Sequence, residues 1–209
     1  TGSAWFWSDV KIQKHVEYEI KGLELLNNTE TQSGNLVLFK HSQHLELDAR
    51  LLGLNAEIYG VGRSHNSPIM NNLQTQGRLS SIQATADKNN PREFLAWLKK
   101  GKNVLYAIDQ DYGWKNSIEL SFFKNPAATI TTTRKIIDIT QCNLLFVNSY
   151  FAKEKLVLEL ESINHDDLDS MELAQKINDL MEQKITLHPE EYLWSHRRFK
   201  STLGKKFYK

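Results

Sequence analysis

The sequence predicts an α/β fold: a mostly parallel mixed sheet flanked by helices, with an antiparallel hairpin at one edge. Three observations lead there. Short apolar runs alternate with segments of helical periodicity through most of the chain, the pattern of strands joined by crossover helices. The run "NVLYAID" (103–109) is almost wholly apolar, as a strand buried on both faces requires. Further on, "NLLFVNSYF" and "KLVLELES" are separated only by Ala152-Lys153-Glu154. That spacer is too short for a crossover, so the two runs pair antiparallel.

Taken in order, "NLVLF" (35–39) is a first strand and runs into the polar stretch "KHSQHLELDAR". Within "LELDARLLG" and just beyond it, Leu47, Leu51 and Leu54 recur at helical spacing, with Gly53 near the stop. "AEIYGVG" (56–62) is a second strand. "SPIMNNLQTQGR" opens on Ser67-Pro68, an N-cap followed by a first-turn proline, and closes near Gly77. "SSIQAT" is a short strand and "NPREFLAWLKKG" a capped helix from Asn90 to Gly101. "NPAATITTTRKIIDIT" begins as another capped helix, with three threonines working against it. After the hairpin, Met171, Ala174, Ile177, Leu180, Met181 and Ile185 form one face of a helix that starts near Leu168. No repeat, low-complexity tract or linker interrupts residues 1–209, which are expected to form a single domain.

Bulk properties narrow the function. At 209 residues the chain can bury a sizeable core. Its 26 basic and 25 acidic residues leave a net charge of +1, which gives nucleic acid no global attraction. The lone Cys142 excludes an intramolecular disulfide and suits a small buried thiol. No apolar run approaches the ~18–20 residues of a membrane span. The start, "TGSAWFWSDV", has no initiating Met and places Trp5, Phe6 and Trp7 together, so it reads as a cut through a longer chain. Charge is uneven: Glu159 to Glu172 carries six acids and no Lys or Arg, while Ser195 to Lys209 carries six bases and no acid. Such runs are usually solvated faces. The basic tail also suits an anionic lipid surface or an acidic protein.

Ligands on open α/β sheets gather beyond the carboxyl ends of strands. "KHSQHLELDAR" and "DQDYGWKNS" both follow strands and are the best candidates for one site. His41, His44 and Asp48 form H-x-x-H-x-x-x-D, a conceivable metal set, but zinc-binding helices more often carry histidines at i and i+4, and no Cys/His set elsewhere supports it. No metal is expected. "GVGRSH" has G-x-G without the third glycine of a dinucleotide loop, and no G-x-S-x-G elbow occurs, so neither a nucleotide cofactor nor a serine nucleophile is indicated. Acid–base chemistry fits better. His41 can take a proton near neutral pH if one ring nitrogen is held. Glu46, one turn into the helix, is placed to reach back to the imidazole. His44 and Asp48, an i, i+4 pair, read as helix surface.

Several segments together carry a resemblance. "KHSQHLELDAR" resembles the H-x-x-x-x-[DE] block of the lysophospholipid acyltransferase superfamily. "GVGRSHNSPIMNNLQTQGR", "IDQDYGWKNSIELSFFKNPAAT" and "PEEYLWSHRRFK", in that order and spacing, are similar to the bacterial lipid A biosynthesis late acyltransferases. "DQDYG" resembles the lauroyl-type branch in particular. The similarity spans nearly the whole chain, which is then the catalytic domain without roughly the first third of such an enzyme, where a membrane-anchoring helix lies.

The resemblance implies transfer of a fatty acyl chain from acyl carrier protein to a hydroxyl of a 3-hydroxyacyl chain on a lipid A precursor. It implies a location at the cytoplasmic face of a bacterial inner membrane, contact with its lipids, and no cofactor. Carried over, His41 is the general base and Glu46 its carboxylate partner. Arg63 and Arg78 bind phosphate or support the acidic residue. Asp109, Asp111 and Gly113 shape the site, Arg197 and Arg198 belong to the C-terminal block, and all five are expected among the substrate-binding residues. Ser42 and His44 depart from the family pattern, where an apolar or small residue follows the histidine and no second histidine occurs, which makes His44 a competitor for the base role. A different acceptor on the same fold, or a non-catalytic lipid-binding relative, are the alternatives; a hydrolase is a weaker one.

Overall fold

The structure is a computed structural model that describes residues 2–27, 33–63 and 65–208. Ser64 of "GVGRSH" and Lys209 of the basic tail lie outside the described residues. Two short helices, α1 (Gly2–Phe6) and α2 (Asp9–His15), precede strand β1 (Tyr18–Lys21). Then follow β2 (Asn35–Phe39), α3 (Leu45–Asn55), β3 (Ile58–Gly62), α4 (Pro68–Leu79), β4 (Thr85–Asp87), α5 (Pro91–Lys99) and β5 (Asn103–Ala107). The rest of the chain forms β6 (Ser117–Phe122), β7 (Asn125–Ile130), α6 (Thr132–Thr140), β8 (Asn143–Ala152), β9 (Lys155–Ser162) and α7 (Ser170–Leu187).

Among the described residues, seven strands make one sheet in the order β1-β9-β8-β2-β5-β3-β4. β8, β2, β5, β3 and β4 run parallel, as the crossover helices between them require. β8 and β9 form the expected antiparallel hairpin, with Lys153 in the left-handed region at φ 59°. β1, which the sequence reading did not identify, lies parallel to β9 at the edge. Alternate residues of β2 enter opposite layers. Leu36 and Leu38 pack with Phe94 and Leu98 of α5, Ile136 and Ile137 of α6, and Leu173 and Ile177 of α7. Val37 faces Ile12 of α2 and Leu51 and Leu52 of α3. Cys142 is buried in the first layer, where desolvation raises its thiol pKa. No described helix is long and apolar enough to cross a membrane.

Two details differ from expectation. The helix expected from Asn125 is a strand there: β7 pairs antiparallel with β6 as a separate two-stranded sheet, and α6 begins only at Thr132. The turn is Phe123-Lys124, both at positive φ (50° and 59°). That geometry normally selects Asn-Gly, so the turn signal is missing from the sequence. Gly53 and Gly77, read as helix stops, lie inside helices that run on to Asn55 and Leu79. Both are there for close approach. A Cβ at residue 53 would sit 2.1 Å from the Ser81 carbonyl oxygen, and one at residue 77 would sit 2.3 Å from the Trp5 ring.

Candidate active site

Parallel register brings the chemistry together. In the β2–β5 pair Phe39 lies opposite Ala107, so the chain positions two residues further on are His41 and Asp109. They meet there. The His41 backbone N–H donates to Asp109 Oδ2 at 3.0 Å, and its Nδ1 lies 2.6 Å from Oδ1. A carboxylate only accepts, so Nδ1 carries the proton, and in the neutral ring Nε2 is the nitrogen with the lone pair. Asp109 is 1% exposed. Burial alone raises a carboxyl pKa, but the His41 ring and amide outweigh it and hold Asp109 below its usual range.

His41 lines a cavity of about 520 Å³ at the carboxyl ends of β2, β3, β4 and β5. Glu46, Arg63, Arg78, Lys88, Asp111, Tyr112, His196 and Lys200 also face it. The expected contact from Glu46 back to the imidazole is not the one formed. Its carboxylate is held bidentately by Arg78, with Nη2 at 2.6 Å from Oε1 and Nε at 3.1 Å from Oε2. The Trp5 indole N–H donates to Oε2 at 2.9 Å. Desolvation works against ionisation, but the Arg78 fork, its charge and the Trp5 hydrogen bond win and lower the Glu46 pKa. The imidazole's carboxylate partner is therefore Asp109, and Glu46 is the anion of a separate Arg78–Trp5 cradle beside it.

His44 is not free to compete as a base. Its Nδ1 lies 2.7 Å from Asp48 and its Nε2 3.0 Å from Glu191. Both carboxylates push its pKa up against the opposing effect of burial. Asp48 is no surface residue: it is 7% exposed and accepts from Ser42 Oγ at 2.9 Å and Ser149 Oγ at 2.8 Å. The residues at which this chain departs from the family pattern, Ser42 and His44, thus belong to one buried polar network. The network closes on the C-terminal strap, where Gln43 N–H donates to the Glu191 carbonyl and Leu193 N–H to that of His41. His41 and His44 have separate carboxylate partners and do not converge on one ligand.

The remaining candidates divide. Arg63 stands exposed at the cavity mouth and donates to Asn66 at 3.1 Å. Asp111 accepts from Gly113 N–H, Ser201 N–H and Ser201 Oγ at 2.7–2.9 Å, pinning its loop to the C-terminal segment. Those bonds lower its pKa despite burial. Gly113 sits in that turn at φ 78°. Arg197 is exposed, with its guanidinium 5.9 Å from the Tyr208 ring centroid, and is not part of the cavity lining. Arg198 is turned into the core, donating to the Ala128 carbonyl at 2.7 Å and Thr129 Oγ1 at 2.9 Å. The cavity-facing members of that block are His196 and Lys200, which the sequence reading passed over. His196 Nε2 accepts from the Asp111 amide at 2.9 Å, and burial lowers its pKa, so the ring is neutral at pH 7. Its block was legible; the choice among adjacent residues needed the fold.

The overall α/β fold is also that of a solved acyltransferase. The crystal structure of the 1-acyl-sn-glycerophosphate acyltransferase from Thermotoga maritima aligns with TM-score 0.52 at 14% identity, covering 86% of this chain and 79% of that one. Residues 1–201 match the family described as bacterial lipid A biosynthesis acyltransferase. The lipid A biosynthesis palmitoleoyltransferase of Escherichia coli K12 is 34% identical over 207 residues, 96% of this chain and 67% of that protein. The lauroyltransferase of the same organism is 35% identical with the same coverage. The chain belongs to the bacterial lipid A biosynthesis acyltransferase family. Near-equal identity to the palmitoleoyl and lauroyl enzymes does not single out the lauroyl-type branch.

Proposed function

We propose that the protein transfers a fatty acyl chain from the thioester of acyl carrier protein to the hydroxyl of a 3-hydroxyacyl chain on a lipid A precursor. The observation that carries this reading is the His41–Asp109 pair at the cavity wall. Asp109 holds Nδ1–H and stabilises the imidazolium as it forms, leaving Nε2 to take the acceptor's hydroxyl proton. The alkoxide oxygen then bonds to the thioester carbonyl carbon, the C–S bond breaks, and the imidazolium returns its proton to the leaving thiolate. No acyl-enzyme is needed. Glu46, Arg78 and Trp5 act as a rigid wall that fixes the floor of the cavity beside the base.

The same reading puts the protein at the cytoplasmic face of the inner membrane. Ile69 and Met70 at the start of α4, Leu73 one turn on, and Phe6 of α1 are exposed around the helix whose later residues Gln74, Gly77 and Arg78 line the cavity. An apolar rim beside a lipid-handling cavity suits contact with acyl chains. The test is to incubate the full-length protein with acyl-acyl carrier protein and lipid A precursor and follow the product by mass spectrometry. A gain of one acyl chain, lost in His41→Ala, is expected. Transfer at the wild-type rate by His41→Ala sinks the assignment, and transfer only to a lysophospholipid moves it to another acceptor class.

A further inference from the structure

Two histidines with opposite tautomers line the cavity. His41 gives its Nδ1–H to Asp109, which leaves Nε2 as the acceptor of the neutral ring. His196 is the reverse. Its Nε2 accepts from the Asp111 amide at 2.9 Å, so that nitrogen bears the lone pair and the proton of the neutral ring is on Nδ1. No described residue accepts from that Nδ1–H, and protein does not seal it off: the ring is half-buried in the cavity lining. Burial, joined by the charge that His41 gains on protonation, keeps the ring neutral against the pull of Asp109 and Asp111.

Backbone contacts fix where this donor stands. Asp109 and Asp111 are two positions apart on the loop after β5, so the chain positions that hold the two rings are at most about 7 Å apart. The C-terminal strap that carries His196 is tied down on both sides of it. Leu193 N–H donates to the His41 carbonyl at 3.0 Å, and Ser201 donates to Asp111 through both its N–H and its Oγ at 2.7 Å. The ring is thus held before any substrate binds, the condition under which a donor best stabilises charge as it develops. Of the other donors in the lining, Arg78 is committed to Glu46 and the Tyr112 hydroxyl to the Ala107 carbonyl at 3.4 Å.

We propose that His196 is a catalytic residue whose Nδ1–H donates to the thioester's carbonyl oxygen as that oxygen becomes an oxyanion. This role rests on the acyl-transfer reading for the identity of the thioester. In the step, His41 Nε2 takes the acceptor's hydroxyl proton and the freed electron pair on oxygen forms the new C–O bond. The carbonyl π pair moves onto its own oxygen, where His196 donates to it. As that pair returns to re-form the C=O bond, the C–S bond breaks, and the His41 imidazolium gives its proton to the thiolate. His196 keeps its proton throughout.

Two substitutions separate the ring's nitrogens. His196→Gln places a carboxamide oxygen near the Nε2 position, where it still accepts from Asp111, and removes the Nδ1 donor. His196→Asn places a carboxamide N–H near the Nδ1 position and loses the bond to Asp111. In the full-length protein, His196→Gln should lower kcat for acyl transfer about 100-fold, the scale of one oxyanion donor, with KM for both substrates near wild type. His196→Asn should recover much of that loss. A role confined to holding Asp111 gives the reverse order, and that order, or a wild-type kcat in His196→Gln, overturns the proposal.

Binding is read without turnover, using a pantetheine-linked acyl ketone in which a difluoromethylene group replaces the thioester sulfur. Such ketones hydrate to a tetrahedral centre, whereas the plain methylene ketone stays trigonal. Wild type should bind the fluorinated ketone about 100-fold more tightly than the plain one, the low end for a transition-state analogue, and His196→Gln should lose most of that margin. Equal margins in the two proteins also overturn the proposal. If the wild type transfers no acyl chain yet keeps a margin that His196→Gln lacks, the transferase reading fails and the donor role of His196 stands.

Discussion

Trp5 occupies the space that Gly77 leaves open. A methyl group at residue 77 would come within 2.3 Å of the indole Cγ, while the indole N–H donates to Glu46 at 2.9 Å. The first helix is thereby keyed to α4 and to a cavity carboxylate at once. Gly77→Ala is expected to force the indole out. Overpacking of this kind costs about 1–3 kcal/mol, and each kcal/mol lowers the melting temperature of a chain this size by roughly 2–4 °C. Trp5→Phe keeps a ring against Gly77 but removes the donor to Glu46. It should melt closer to wild type and still lose activity. Thermal denaturation and initial rates on the two variants separate packing from positioning.

The His41–Asp109 bond makes a prediction with two readouts. Asp109→Asn keeps the shape but removes the carboxylate that fixes the tautomer, and kcat should fall about 100-fold or more, within the range ascribed to a positioned general base. The folded-state pKa of Asp109 is depressed. Its stabilising contribution is therefore complete above the unfolded value near 4 and is lost as pH falls through the lower folded value. Denaturant unfolding between pH 3 and pH 7 should show the wild type losing stability on the acid side more steeply than Asp109→Asn. Parallel acid limbs would mean that the pair adds nothing to stability.

His44 predicts the opposite slope. Its pKa is raised, because Asp48 and Glu191 hold the imidazolium between them against the cost of burial. That contribution is fully present below the unfolded value of about 6.5 and is lost as pH rises through the higher folded value. Melting temperature in the wild type should decline from pH 6 towards pH 9, and His44→Gln should flatten that decline. Removing one partner of a buried charge cluster costs about 3 kcal/mol or more, so the variant should also be less stable at pH 6. Its transfer activity, measured where it is folded, should persist, since both nitrogens of His44 are already engaged.

How much of this was legible follows from which contacts are local. β2, β3, β5 and the β8–β9 hairpin announce themselves through apolar runs and spacing, and α4 through Ser67-Pro68. The pairing of His41 with Asp109, 68 positions away, depends on β2 and β5 being neighbours in the sheet. Nothing in the spacing of "HSQHLE" carries that order. Glu46 was the nearest acid along the chain at helical reach, so local geometry favoured it, but the Arg78 fork outcompetes a single imidazole for the carboxylate. Asp48 and Ser149 likewise meet only because β8 lies next to β2. The Phe123-Lys124 turn has neither Asn nor Gly, so the β6–β7 hairpin had no local sign.

Arg198 supplies the sharpest contrast between motif and structure. By resemblance it belongs to a block of substrate-contacting residues, yet it is 3% exposed. Its guanidinium donates to Ala128 and Thr129 of β7 and lies 5.2 Å from the centroid of the Phe122 ring. It therefore braces the β6–β7 hairpin from behind. Arg198→Met keeps much of the stem's packing and removes the guanidinium donor to the Ala128 carbonyl, while the Thr129 hydroxyl keeps its bond from Asn178. Losing a buried hydrogen-bond partner costs about 1–3 kcal/mol, so a fall in melting temperature is expected. At temperatures where the variant is folded, KM for both substrates should stay near wild type, because the side chain does not reach the cavity. A selective rise in either KM without loss of stability would return Arg198 to the substrate, and would require the hairpin to open in the bound state.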